Sequence, residues 1–136
     1  MDDCIFCKII RDEAPSHKLW ENDEFLAFLS NGPINPGHVL LVPKQHIDYV
    51  FDMEEPQYST IFRHAQKLSA VIKKTFDAPR VGLVIEGFSV RHVHLHLVPV
   101  YNVAELDPNR LRPATLDDLA PIAERLVLAM NDLETD

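Results

Sequence analysis

Cysteine, net positive charge and long apolar runs are all scarce in this chain, and each scarcity removes a class of explanation. Only two cysteines occur in 136 residues, Cys4 and Cys7. A fold stapled by several disulfides is therefore excluded. Lys and Arg total 13 against 21 Asp and Glu, a formal charge of −8. Such a balance gives no general electrostatic attraction to nucleic acid. A small anionic ligand remains compatible with it, provided imidazoles and backbone N–H groups supply a local positive field. No apolar stretch approaches the ~20 residues of a membrane span. The opening Met-Asp-Asp-Cys is acidic and lacks the basic-then-apolar plan of a secretory signal, so a cytoplasmic protein is expected.

What the chain does have is concentrated in residues 90–99, Val-Arg-His-Val-His-Leu-His-Leu-Val-Pro. A strand alternates its side chains with a period of two, so His92, His94 and His96 project from one face. Val93, Leu95 and Leu97 project from the other and can enter a core. Packing does not call for adjacent imidazoles, and crowding them raises the cost of charging any one. Imidazole is a nucleophile, an acid–base group, a phosphate donor and a metal ligand near neutral pH. A cluster of this kind is read as a functional site in preference to a solvated strand face.

Periodicity places the elements around that cluster. A short helix over residues 4–12 carries the cysteines. Strands are predicted over 17–20, 24–29, 37–42, 80–86 and 92–100, with turns at Asn22-Asp23 and Gly87. A long helix is predicted over 54–76 from Ile61, Ala65, Leu68, Ile72 and Phe76. A second is predicted over 115–130, capped by Thr115, with Leu119, Ile122, Leu126 and Ala129 as its inner stripe. His64, flanked by Arg63 and Lys67, is expected on the helix surface, and His17 has no assigned role. Residues 1–136 read as one domain with no repeats or low-complexity segments. Residues 1–102 carry the motifs, and 103–136 form a connection and the last helix. Clustered strands favour an α+β fold with a five-stranded antiparallel sheet, one long central helix and a C-terminal helix.

The cysteines allow several readings. A redox pair belongs after a strand in a βαβ unit, and here the pair precedes every strand. A structural disulfide needs an oxidising compartment. Cys-x-x-Cys also supplies two of the four tetrahedral ligands of zinc, with two more required from elsewhere. Two free thiols complete the set of readings.

The triad with Leu97, Val98 and Pro99 resembles the signature of the histidine-triad (HIT) nucleotide hydrolases and transferases. Cys4-Ile-Phe-Cys7-Lys-Ile-Ile is similar to that family's N-terminal segment. Asn35-Pro-Gly-His38-Val-Leu-Leu-Val-Pro43-Lys-Gln-His46 is similar to its central strand. The resemblance spans roughly residues 4–100. It implies the five-stranded antiparallel fold, often in a two-fold homodimer, and a nucleotide substrate. It implies His94 as the nucleophile that attacks the α-phosphorus and becomes nucleotidylated. The attacking nitrogen then needs a free lone pair, with the other ring nitrogen held as a donor by a backbone carbonyl. His96 is placed to donate to a phosphate oxygen, and His38 completes the imidazole cluster. Ser89 matches a phosphate-contacting serine, while Ser30 and Asn31 fall where the ribose is received. Zinc-bearing members imply structural Zn²⁺ at Cys4, Cys7, His46 and His92. The chain departs from the family pattern in three places: Phe88 stands at a glutamine position, Ser30 at an aspartate and Val100 at an arginine. Those departures keep a second reading open, a nucleotide-binding or interaction module with little turnover. A protein built only around structural zinc would leave His94 and His96 without a purpose.

Overall fold

The computed structural model describes residues 3–133; the first two residues and the last three lie outside it. A short helix, α1 (Ile5–Ile10), precedes strands β1 (Lys18–Glu21), β2 (Phe25–Leu29) and β3 (Val39–Pro43). The long helix α2 (Gln57–Thr75) follows, then β4 (Arg80–Val84), β5 (Leu95–Val100) and the final helix α3 (Leu116–Met130). The strands form one five-stranded antiparallel sheet in the order β1-β2-β3-β5-β4. Fold class and element order agree with the sequence-based expectation, and the boundaries move by a few residues. Helix α2 begins at Gln57, behind Pro56, and not at Glu54.

The pleat divides the sheet into two unlike faces. Phe25, Ala27 and Leu29 of β2, Val39 and Leu41 of β3, and Leu95 and Leu97 of β5 pack with α2 and α3 in the main core. Leu26, Phe28, Leu40 and Val42 point the other way and pack under Phe6 and Ile9 of α1. Because Leu95 and Leu97 are fully buried among the α2 side chains, His94 and His96 are forced onto the opposite face. Burying each of those leucines contributes about 1.5–3 kcal/mol. The core thereby fixes which way the imidazoles look.

Three expectations are corrected. The triad strand starts at Leu95 and not at His92. The preceding residues are drawn toward the segment after β3 instead, where the Val93 N–H donates to the Ile47 carbonyl at 2.7 Å. His64 is not on the surface: it is only 2 % exposed and lies against the rings of Trp20 (4.8 Å) and Phe25 (5.2 Å). Its helical position, three residues after Ile61 and four before Leu68, places it on the inner stripe, while Arg63 and Lys67 flank that stripe in solvent. Burial, followed by those two cations, depresses its basicity. In α3 the buried stripe is Leu119, Ala123, Leu126 and Met130. Ile122 and Ala129 are only half-buried, so the helix is turned slightly from the expected face. Its N-terminus carries the anticipated cap, with Thr115 Oγ1 accepting from the Asp118 N–H at 3.1 Å and the Asp118 carboxylate returning the bond at 3.0 Å.

Candidate active site and metal centre

Residues 92–96 serve two adjoining sites. On the α1 side, Cys4 caps the helix and Cys7 faces the sheet one turn later. Cys4 Sγ lies 3.4 Å from His92 Nδ1, Cys7 Sγ lies 3.3 Å from His46 Nδ1, and Cys7 Sγ lies 3.6 Å from His92 Nδ1. The four donor atoms all fall within 4.8 Å of one another. A tetrahedron with Zn–S of about 2.3 Å and Zn–N of about 2.0–2.1 Å has S···N edges of about 3.5 Å, so this donor set fits zinc. His92 Nε2 donates to the Pro43 carbonyl at 2.8 Å, which turns a bare Nδ1 toward the thiols. Burial and the neighbouring Cys4 sulfur push the Cys7 thiol above its ordinary value. Two sulfurs this close resist joint deprotonation unless a cation compensates them, which is what a dication at this point would supply. With all four positions taken by protein, such a metal would be structural: it would tie α1 to the triad segment and to the end of β3.

On the other side of His92 opens a cavity of about 360 Å³. All six residues assigned to catalysis or substrate from the sequence line it: His94, His96, His38, Ser89, Ser30 and Asn31. Ser30 Oγ accepts from the Gly32 N–H at 3.2 Å, and its hydroxyl keeps a proton and a second lone pair. Phe88 turns outward, 82 % exposed, and only Ser89 of this pair lines the cavity.

The hydrogen bonds assign a tautomer to each imidazole of the cavity. His94 Nδ1 donates to the His92 carbonyl at 2.6 Å, which leaves Nε2 with a free lone pair. The Ile34 N–H donates to His38 Nδ1 at 3.0 Å, so the His38 proton sits on Nε2. His38 Nε2 lies 2.9 Å from His96 Nδ1 and donates to it. His96 must then carry its proton on Nε2. One backbone carbonyl and one backbone N–H thus set a lone pair on His94 beside an N–H donor on His96, with ring centroids 4.8 Å apart.

Neutrality is enforced by burial. It lowers His38 to about 3, helped by the His96 and His94 imidazoles, and His96 to about 4, helped by His94. His94 is also lowered by burial, with its bond to the His92 carbonyl and the charge of Glu86 acting in the opposite sense. Phe6 of α1 closes over His94 edge-on, at 4.9 Å between ring centroids.

Apolar walls surround this polar floor. Ile5 and Ile9 contribute from α1, Phe28 and Leu40 from the sheet, and Leu106 and Leu111 from the connection before α3. The sequence offered no motif for the last two. Nor did it mark His17, which lines the cavity while its Nε2 donates to the Leu116 carbonyl at 2.8 Å, or Glu86.

The sequence model of the HIT domain matches residues 11–103. The chain belongs to the HIT family. It is 36% identical over 106 residues to a HIT-like protein of Borreliella burgdorferi, covering 73% of this chain and 76% of that one. An adenosine 5′-monophosphoramidase of Candida albicans is 36% identical over 108 residues, 71% of this chain and 69% of the relative. Among solved structures, a zinc-bound histidine triad family protein from Mycobacterium smegmatis superposes with a TM-score of 0.81 at 25% identity, covering 97% of this chain and 96% of that one. The five-stranded antiparallel sheet is the HIT fold, and HIT relatives include hydrolases of nucleotide phosphoramidates. No helix among the described residues is long and apolar enough to cross a membrane.

The geometry of the cluster predicts that purified protein carries about one zinc per chain. Cys4→Ser keeps a side chain able to cap α1 but removes a soft ligand. It is expected to lose the metal and to lower the thermal midpoint, both measured on one preparation by elemental analysis and calorimetry. Full zinc occupancy in Cys4→Ser would refute the ligand assignment.

Proposed function

We propose that the protein is a nucleotide hydrolase or nucleotidyl transferase acting at the α-phosphorus of a nucleoside 5′-phosphate derivative: a phosphoramidate, an acyl nucleotide or a dinucleoside polyphosphate. The observation that carries this reading is the bond from His94 Nδ1 to the His92 carbonyl at 2.6 Å. It aims an unprotonated Nε2 from a wall of the cavity beside the Nε2–H of His96.

In the first step His94 Nε2 forms a bond to phosphorus as the bond to the amine, acyl or phosphate leaving group breaks in line. The leaving group departs with the bonding electron pair and takes up a proton. Positive charge grows on the His94 ring, where the His92 carbonyl and Glu86 stabilise it. Negative charge on the non-bridging phosphate oxygens meets the His96 N–H, and Ser89 offers a further donor on the same side. In the second step water, or another acceptor, attacks phosphorus from the vacated side. It releases the nucleoside monophosphate, loses its proton to solvent and returns the electron pair to His94 Nε2. Zinc, when bound by Cys4, Cys7, His46 and His92, supplies rigidity at His92 and takes no part in either step.

His94→Ala removes the attacking atom and is expected to reduce turnover of an adenosine phosphoramidate by several orders of magnitude while leaving nucleotide binding largely intact. His96→Ala should cost about 10²–10³-fold, the usual worth of one donor to a developing charge. Rapid mixing followed by intact-protein mass spectrometry should find an adduct of one nucleoside monophosphate that maps to His94. Binding without turnover would select the non-catalytic module, and full activity in His94→Ala would refute the mechanism.

The reading includes a cytoplasmic, two-fold homodimer built partly by α2 and the strand before it. An exposed aromatic row supports this: Tyr49 and Phe51, 52% and 66% exposed, run with Tyr58 onto the first turns of α2. Static light scattering is expected to report twice the 15.5 kDa chain mass; the monomer mass at micromolar concentration would contradict it.

A further inference from the structure

The four donors of the Cys4, Cys7, His46 and His92 cluster are unequally protected. Cys7 is 7 % exposed and His92 0 %, so that half of the cluster is sealed. Cys4 and His46 are only half-buried, and both line a second cavity of about 350 Å³. Asp3 and Arg91, both exposed, border the same cavity, which places its mouth at the protein surface. A small solute entering there meets the sulfur of Cys4 and not that of Cys7. These two are the chain's only cysteines, so each has one possible partner within the molecule.

The pair has two covalent states that exclude each other. Cys4 caps α1 and Cys7 follows one turn later, with its N–H donating to Cys4 Sγ at 3.4 Å. The two sulfurs lie within 4.8 Å of one another. Holding a metal requires both as thiolates. A disulfide requires them bonded to each other at about 2.05 Å, a short closure from this arrangement, and its sulfurs are no longer thiolates. The mechanical consequences also differ. A metal would tie α1 to His46 and His92, whereas a Cys4–Cys7 bond closes a ring within one helical turn and fastens α1 to nothing else. His92 would then keep only the bond from its Nε2 to the Pro43 carbonyl at 2.8 Å.

We propose that Cys4 is an oxidation site for hydroperoxides with Cys7 as its resolving thiol, and that the Cys4–Cys7 disulfide discharges the metal and slackens the triad segment. This rests on the zinc reading of the cluster. In the first step the Cys4 thiolate attacks one peroxide oxygen and the O–O bond breaks. The second oxygen leaves with the bonding pair and takes up a proton as water or alcohol, and Cys4 becomes a sulfenic acid. In the second step the Cys7 thiolate attacks the Cys4 sulfur, the S–O bond breaks, and hydroxide leaves to be protonated to water. The two thiolates together lose two electrons, and the peroxide gains them. The burial of Cys7 sets the order, and a thiol reductant reverses the product.

The test titrates zinc-loaded wild type with hydrogen peroxide. Free zinc is followed with a metallochromic indicator, and thiols are counted after denaturation. About one zinc should be released for every two thiols consumed, with peptide mass spectrometry finding Cys4 linked to Cys7. Dimedone present during oxidation should trap its adduct on Cys4. Turnover of an adenosine phosphoramidate should fall about 10–100-fold as zinc leaves, the usual worth of a group that orients a metal-site neighbour, and return with a thiol reductant and zinc. Zinc and both thiols retained at peroxide levels that fully oxidise glutathione would overturn the proposal, as would a dimedone adduct on Cys7 instead of Cys4. Undiminished turnover as zinc leaves would overturn the slackening of the triad segment. Protein unable to take up zinc would overturn the metal reading and this proposal with it. Wild type without turnover would count against the nucleotide reading alone, because the zinc and thiol readouts use no substrate and still decide the oxidation site.

Discussion

One residue, His92, links the imidazole cavity to the cysteine–histidine cluster beside it. The carbonyl oxygen of His92 receives the His94 Nδ1 proton at 2.6 Å, and the side chain of the same residue faces the two cysteines. A rotation of that peptide would release the His94 proton to either nitrogen. The ring of His92 is held against such rotation from two sides: Nε2 is bonded to the Pro43 carbonyl, and Nδ1 lies within 3.6 Å of both sulfurs. Bound zinc would convert those sulfur contacts into bonds and make the clamp rigid. In this account the donor cluster is remote from the phosphate but close to the group that decides which nitrogen of His94 is nucleophilic.

The second constraint is charge. Three imidazoles within one cavity could hold a phosphate simply by being protonated, but a protonated His94 would have no lone pair. Burial resolves the conflict by keeping the cluster neutral and letting directed N–H groups replace net charge. The chain Ile34 N–H to His38 to His96 delivers one such donor to the cavity with no formal charge on any member. His38 thus acts through His96, and its own contribution is to set a tautomer. The protein as a whole can then remain strongly acidic while directed N–H groups set the field inside the cavity.

Much of this was legible in the chain because the relevant signals are local. Alternation of His92, His94 and His96 with Val93, Leu95 and Leu97 announced both a core face and a chemical face, and the sheet honours it. The spacing of Cys4 and Cys7 admits metal as one of several readings, and the structure adds His46 and His92 as donor atoms within reach of both sulfurs. What escaped the sequence depends on neighbours distant along the chain. The neighbouring charges of Arg63 and Lys67 point to solvent for His64, whereas the rings of Trp20 and Phe25 on the sheet bury it. His17, Leu106 and Leu111 belong to no motif; His17 lines the cavity from just before β1, and the two leucines do so from the connection between β5 and α3. The late start of β5 goes with a backbone bond from Val93 to Ile47, which no periodicity reports.

The most direct test of the account is the protonation pattern of the cavity imidazoles. Long-range ¹⁵N–¹H correlation spectra of zinc-loaded protein labelled at histidine distinguish the two neutral tautomers from imidazolium. At neutral pH, His94 is predicted as the Nδ1–H tautomer, and His38 and His96 as Nε2–H tautomers. Because folding lowers His38 to about 3 and His96 to about 4, these two should keep their neutral signatures at pH 5, where an exposed histidine is largely imidazolium. The sign follows for stability as well: the unfolded chain binds protons near the ordinary histidine value, so the stability these neutral rings contribute is intact above about 6.5 and drains away as pH falls toward their folded values. An Nε2–H tautomer at His94, or imidazolium at His96 at pH 7, would contradict the arrangement on which the proposed chemistry depends.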